Sequence, residues 1–351
     1  METTQRPRIL LIYTGGTIGM IENPATGVLE PFDFDHILDN VPKLKMLNYV
    51  IDNISFEPPI DSSDINPTHW TQIVHAISQN YHRYDGFVVL HGTDTMAYTS
   101  SAISFMLQNL AKPVIITGSQ LPIGEVRTDG EENLITAVQI AAARNAAGEP
   151  MVQEVAILFE NYLWRGNRAT KRSADNFNAF KSHNYPELAK IGLGINFHEE
   201  ALLRHNHSSA LPVIPHCNLD TAVMVVDLFP GITEQTLRHQ LATPGIKGVV
   251  LKTYGAGNAP TSEWFTRTVK EAVDRGVVVL NVTQCVNGSV ERRYAAAEGL
   301  AQAGVIPGAD LTTEAALTKM MFLFGAGIPT DEVKWRLTKS MRGELTPPSN
   351  P

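Results

Sequence analysis

Two threonines stand just past the ends of short apolar runs, each with glycine before it. Ile9-Leu10-Leu11-Ile12 leads into Tyr13-Thr14-Gly15-Gly16-Thr17-Ile18-Gly19, and Phe87-Val88-Val89-Leu90 leads into His91-Gly92-Thr93-Asp94-Thr95-Met96. An acyl-transfer site needs a nucleophile, a group that takes its proton and donors for the developing oxyanion. A threonine hydroxyl is a poor nucleophile at neutral pH, so a base must stand close. No Ser-His-Asp order fits a Gly-x-Ser-x-Gly elbow in this chain. Lys171 lies in the basic segment Trp164 to Arg172 that follows a strand. A neutral lysine amine deprotonates a hydroxyl where burial lowers its pKa, and a nearby carboxylate then holds the charged form. Thr93, Lys171 and Asp94 therefore form a plausible proton-handling set beside Thr17. Ser62 and Ser63 precede Asn66-Pro67, a helix N-cap and first-turn pair, so they fall in a strand-to-helix loop whose hydroxyls and free N–H groups suit a carboxylate. The plainer alternatives are a tight glycine turn, ordinary turn serines and a solvated basic loop. A phosphate loop is disfavoured, because Gly15-Gly16-Thr17-Ile18-Gly19 lacks the Gly-x-Gly-x-x-Gly spacing and no Lys-Ser or Lys-Thr pair follows.

These residues share a site only if their strands share a sheet edge. Ile9–Ile12 and Phe87–Leu90 are apolar throughout, the pattern of strands buried on both faces. Further strands are predicted at 49–57, 113–117 and 154–160. Trp70, Ile73, Val74, Ile77 and Tyr81 make one helical stripe, Ile103, Met106, Leu107 and Leu110 another, and 129–145 reads as a third helix. Short β-α-β-α alternation predicts a parallel sheet covered on both faces, with ligands at the C-terminal strand ends. Met20 to Pro31, with Asn23-Pro24 and Gly27, has no period and reads as a loop beside Thr17, a candidate lid; 35–44 reads as a short helix. From Asn196 to Asn218 the texture changes, and His198, His205, His207 and His216 read as part of a linker rather than a metal site, because their spacing matches no helical ligand pair. A second α/β unit follows, with strands at 222–229, 248–253 and 277–282 and helices at 234–241, 262–274, 314–324 and 331–340. The expected fold is α/β with two domains: a larger N-terminal catalytic domain (1–200) with a mainly parallel sheet, a linker (201–219) and a smaller C-terminal α/β domain (220–351).

The bulk composition narrows the class. The 351 residues are 43% hydrophobic and 18% charged, with net charge −8, so nucleic acid is a poor partner. Cys217 and Cys285 are the two cysteines, too few for a disulfide framework, and the first apolar run is too short for a membrane span. A cytoplasmic protein with no membrane partner is expected.

Thr14-Gly15-Gly16-Thr17-Ile18-Gly19 together with His91-Gly92-Thr93-Asp94-Thr95-Met96 resembles the paired signatures of the bacterial L-asparaginases, a family shared with glutaminase-asparaginases. The likeness extends through Asp61-Ser62-Ser63-Asp64, Thr117-Gly118-Ser119-Gln120, Arg165-Gly166-Asn167-Arg168, Tyr254-Gly255-Ala256-Gly257-Asn258-Ala259-Pro260 and Arg342-Gly343-Glu344-Leu345-Thr346, along nearly the whole chain, and is nearest to the cytoplasmic type I branch. The resemblance implies a homo-oligomeric amidohydrolase, a dimer or dimer of dimers, that converts L-asparagine to L-aspartate and ammonia without metal or organic cofactor. It implies Thr17 as the nucleophile that forms an acyl-enzyme, Thr93 and Lys171 as proton handlers, Asp94 as the seat of the substrate ammonium, and Ser62 and Ser63 as the seat of its carboxylate. A glutaminase-leaning relative, the amidase subunit of a tRNA-dependent amidotransferase and a catalytically silent amino-acid sensor are the rival readings. Two departures stand out. The lid tyrosine of the family is replaced at Val28 or a neighbour. An effector site of type I enzymes matches Lys252, Thr283 and Cys285, with lysine where the family has arginine; the charge stays and the bidentate fork is lost.

Overall fold

A computed structural model describes residues 6–22, 26–27, 29–31, 41–204, 212–290 and 295–347. The chain divides into two compact units, Met1–Ser182 with Pro186–Cys217, and His183–Tyr185 with Asn218–Pro351. Of the segment expected as a linker, the described residues 201–204 and 212–217 fall in the first unit and 218–219 in the second.

In chain order the first unit contains β1 (Arg8–Tyr13), β2 (Met20–Glu22), β3 (Leu29–Pro31), β4 (Val50–Ser55), α1 (Pro67–Asn80), β5 (Gly86–Leu90), α2 (Met96–Met106), β6 (Leu107–Gln108), β7 (Val114–Thr117), α3 (Gly130–Ala142), β8 (Val155–Phe159), β9 (Tyr162–Arg165), β10 (Ala169–Lys171), β11 (Phe180–Ser182), β12 (Ala189–Ile191), β13 (Ile195–Phe197) and β14 (Ile214–Pro215). Its main sheet runs β13-β12-β9-β8-β7-β5-β1-β4. Pairing is parallel from β4 through β1, β5 and β7 to β8, and antiparallel from β8 through β9 and β12 to β13. The central strands β5, β7 and β8 are buried at every position, so both faces are covered. Helix α1 starts where the sequence indicates: Asn66 accepts from the Thr68 N–H at 3.0 Å, Pro67 takes the first turn, and Trp70, Ile73, Val74 and Ile77 are buried.

Several expectations are corrected. Met20 to Pro31 is more than a loop, because β2 and β3 pair antiparallel with Met20 opposite Pro31. Such three-residue strands are too short to impose a readable period. Val28, and residues 35–40 of the expected short helix, lie outside the described residues; Pro42–Met46 forms a 3-10 helix. The stripe through Leu107 breaks at Met106, since Leu107–Gln108 pairs with Ile214–Pro215 as strand. Trp164 to Arg172 is not a solvated loop. It ends β9, makes a 3-10 turn at Gly166–Arg168 and forms β10, with Arg165 and Arg168 buried. Arg165 is accommodated because Glu154 accepts its Nε at 2.6 Å and the Ala201 carbonyl accepts Nη2 at 2.7 Å.

The second unit contains β15 (Val223–Asp227), α4 (Glu234–Leu241), β16 (Gly248–Thr253), α5 (Glu263–Asp274), β17 (Val278–Thr283), α6 (Ala295–Gln302), β18 (Ile306–Pro307), α7 (Thr313–Gly325) and α8 (Thr330–Leu337). Its sheet, β15-β16-β17-β18, is parallel throughout. Phe265, Val269 and Ala272 of α5 pack with Val249 and Leu251 of β16 in its core. The short α6 and β18 were not foreseen. Among the described residues no helix is long and apolar enough to cross a membrane, and no group of three or more His, Cys, Asp and Glu could hold a metal ion. His205 and His207 lie outside those residues.

Candidate active site

Strands β1 and β5 are parallel neighbours whose register ends with Tyr13 opposite Leu90, so both threonine loops leave one sheet edge. The first threonine of its motif is structural: the Thr14 N–H and hydroxyl both donate to the Leu90 carbonyl at 3.0 Å. The chain then turns through Gly15 and Gly16 at φ of 132° and 90°, where side chains are strained. Space forbids them as well, since a Cβ at Gly16 would lie 2.5 Å from the Gly92 nitrogen. The close approach brings the two loops together and leaves Thr17 half-buried at the start of a 3-10 turn, Thr17–Gly19. Behind that turn the Tyr13 ring lies against Gly19, and burial pushes its hydroxyl up to about 12, so Tyr13 stays a neutral phenol.

Ser62 meets the same place. It is buried, and a Cβ at Gly92 would lie 2.6 Å from its Oγ. The Thr95 hydroxyl donates to the Ser62 carbonyl at 2.6 Å, which ties the serine loop to the start of α2. Ser63 is exposed, and its N–H and hydroxyl both donate to Asp61 Oδ1 at 2.8 Å; these bonds hold the Asp61 carboxyl below its usual range.

Lys171 arrives from 77 residues beyond Asp94. Its Nζ donates to Thr93 Oγ1 at 2.8 Å and to Asp94 Oδ1 at 2.6 Å. Its side chain is 17% exposed and that of Asp94 is 66% exposed, so the pair lies open on the Asp94 side. Helix α2 causes the encounter. Its N-terminal approach carries Thr93 and Asp94, while Ser100 donates to the Gly166 carbonyl at 2.8 Å and Asn167 donates to Ser104 Oγ at 3.1 Å. Those two anchors fix the turn that leads into β10 and Lys171.

Three residues escaped the reading of the sequence as site components. Gln120 donates to the Ala174 and Asn176 carbonyls at 3.2 and 3.1 Å, with its Oε1 3.4 Å from Thr93 Oγ1. Asp129 accepts from the Gln120 and Leu121 N–H groups at 3.0 and 3.1 Å and so shapes the loop after β7. His91 is fully buried, and desolvation lowers its pKa to about 4, leaving the imidazole neutral. Gln120 was visible within the Thr-Gly-Ser-Gln motif and His91 as the first residue of the His-Gly-Thr-Asp motif; nothing local marks Asp129.

The residues matched to an effector site occupy a comparable edge in the second unit, where β16 and β17 pair with Thr253 opposite Thr283. Lys252 Nζ is 2.9 Å from Asp227 Oδ1, Thr283 donates to the Gly255 carbonyl at 2.5 Å, and Cys285 is exposed. The Lys252 cation is therefore already paired.

Comparison with known proteins agrees with this architecture. Residues 8–203 match the family model described as asparaginase, N-terminal, and residues 222–335 the glutaminase/asparaginase C-terminal domain. The chain is 42% identical to L-asparaginase 1 of Escherichia coli K12, over 98% of this chain and 99% of that protein. It is 40% identical to the human 60 kDa lysophospholipase, spanning 97% of this chain and 62% of that longer protein. Among solved structures, L-asparaginase I of Vibrio cholerae superposes with a TM-score of 0.88 at 38% identity, over 97% of this chain and 100% of that one.

Proposed function

The chain belongs to the asparaginase family of amidohydrolases, and from that premise we propose that it hydrolyses L-asparagine to L-aspartate and ammonia through an acyl-enzyme on Thr17. The observation that carries this reading is the contact of Lys171 Nζ with both Thr93 Oγ1 and Asp94 Oδ1, at 2.8 and 2.6 Å, on the edge from which the Thr17 loop emerges. In the first half-reaction Thr17 Oγ attacks the side-chain amide carbon of the substrate. Its proton passes through the Thr93–Lys171 pair to the leaving nitrogen, the C–N bond breaks, and ammonia departs. In the second half-reaction water adds to the ester carbon, gives up a proton to the same pair, and the ester bond to Thr17 breaks, restoring the hydroxyl. Asp94 holds the substrate ammonium, and Ser62 with Ser63 its carboxylate. Removal of hydroxyl or amine in such a unit costs about a thousandfold or more in turnover.

The test is ammonia release from asparagine and from glutamine, combined with acid-quench mass spectrometry. The expected result is faster release from asparagine and an aspartyl ester on the peptide that contains Thr17. No ester there, with asparagine turning over, removes Thr17 from the role; no release from asparagine removes the activity. We propose as well that the protein acts in the cytoplasm as a homo-oligomer, for which sedimentation of the purified chain is the check.

A further inference from the structure

Behind the Thr93 turn runs a chain of polar contacts that the chemistry above does not use. Trp70 Nε1 donates to Thr99 Oγ1 at 3.0 Å, Thr99 Oγ1 is 2.9 Å from His91 Nε2, and His91 Nδ1 is 2.7 Å from the Gly92 carbonyl. The three side chains come from α1, α2 and the end of β5, and each is at most 5% exposed. The proton positions follow from the donors. A carbonyl oxygen only accepts, so Nδ1 carries the hydrogen. A buried neutral imidazole then has a bare Nε2, so the Thr99 hydroxyl donates to it and accepts from the indole N–H, which only donates. Every member is satisfied in one tautomer.

The bond to Gly92 has a consequence one atom further on. Among the described residues the cis peptide bond is Glu57–Pro58, so the Gly92–Thr93 peptide is trans, and its C=O and N–H point in opposite directions. With the carbonyl drawn to the buried His91, the Thr93 N–H faces away from the imidazole, and the Thr93 hydroxyl stands at the edge beside Lys171. An N–H fixed in advance at that edge is what a developing oxyanion requires.

We propose that His91, held by Thr99 and Trp70, is a positioning residue that locks the Gly92–Thr93 peptide plane so that the Thr93 N–H serves the oxyanion. The proposal rests on the acyl-transfer reading of the edge, and the test keeps the two apart. Thr99→Val keeps the shape of the side chain and removes the proton offered to Nε2, while Thr99→Ser retains it. Thr99→Val is expected to lower kcat for asparagine about 10- to 100-fold with KM changed less than about threefold, and Thr99→Ser to stay within about threefold of the unaltered protein. In ¹⁵N-histidine spectra of the full chain, His91 is expected as the Nδ1–H tautomer, with the Nε2–H form gaining population in Thr99→Val. Trp70→Phe, which keeps the ring packing, is expected to shift both readouts the same way, and it decides the matter should Thr99→Val not fold. A Thr99→Val enzyme with unaltered kcat, equal losses in the serine and valine variants, or an Nε2–H tautomer in the unaltered protein would overturn the proposal. Absence of any ammonia release by the unaltered protein would instead overturn the acyl-transfer reading, and the tautomer measurement still decides whether the lock exists.

Discussion

Thr17 and Lys171 are separated by 154 positions yet are assigned one proton path, so their losses should not add. Thr17→Ala and Lys171→Met are each expected to cut turnover about a thousandfold or more with the fold intact, and the double variant to be hardly worse than either single one. Ammonia release by Thr17→Ala within tenfold of the unaltered protein would remove its assignment as nucleophile. Asp94→Asn keeps the shape and loses a charge paired at 2.6 Å with Lys171. A fall in kcat/KM equivalent to about 2–4 kcal/mol is expected, and an unchanged kcat/KM would sink the ammonium role. His91 adds a pH dependence to stability. Its pKa falls from 6.5 to about 4 on folding, chiefly through desolvation. Below pH 6.5 the unfolded chain takes up a proton that the folded site refuses, so stability is full above 6.5 and is lost as pH falls towards 4. The loss amounts to about 3 kcal/mol. Urea midpoints at pH 7 and pH 4.5 should therefore drop further in the unaltered protein than in His91→Gln, which has no such proton to take.

At the scale of elements, two joints carry most of the geometry. The Gly15-Gly16 turn brings the Thr17 loop against the Thr93 turn, and Gly16 has both a φ of 90° and backbone in the place of a side chain. Gly16→Ala is expected to abolish turnover by displacing the loop, with a smaller effect on the melting temperature, since Thr14 still bonds to Leu90. A near-normal kcat in that variant would show that the close approach is dispensable. In the second unit Lys319 of α7 and Glu344 form a fully buried ion pair at 2.6 Å. Burial lowers the Lys319 pKa and the Glu344 charge opposes that shift, while Glu344 also accepts from the Met341 and Arg342 N–H groups. Glu344→Gln leaves a buried ammonium without its counter-charge. The expected loss is about 3–5 kcal/mol in urea unfolding, whereas Lys319→Met combined with Glu344→Leu should cost less than the single change.

For the whole molecule, the open question is whether the strand edge of the second unit controls the first. Lys252 is paired with Asp227 at 2.9 Å, so an effector carboxylate has to compete with an internal one. Coupling also requires two states of different affinity for that effector. A sigmoidal curve of initial rate against asparagine is therefore expected to become hyperbolic in Lys252→Ala and to respond at lower asparagine in Asp227→Asn. A hyperbolic curve in the unaltered protein over the whole range removes the reason to place an effector there.

The sequence by itself determined the parallel core and the residues offered to chemistry. Unbroken apolar runs such as Phe87–Leu90, short and bounded by glycine, read as strands buried on both faces, and the glycines at their ends announce sharp turns, because both signals are local and depend on backbone freedom and side-chain hydrophobicity. The N-cap at Asn66 was legible for the same reason. Thr93, Asp94 and Lys171 could be grouped by residue type and resemblance, but the placement of Lys171 beside the other two was not legible, since it depends on Ser100 and Ser104 of α2 anchoring the 166–168 turn across more than sixty positions. Nor was the burial of Arg165, whose charge is accommodated by Glu154 at 2.6 Å and the Ala201 carbonyl at 2.7 Å. The strands β2 and β3, β9, β12 and β13 are short, and their partners rather than their own patterns make them strands. His91 reads as one histidine among eleven. Only the packing of α1 and α2 against the end of β5 gives it a single tautomer, because a buried ring takes its proton position from the donors and acceptors that surround it.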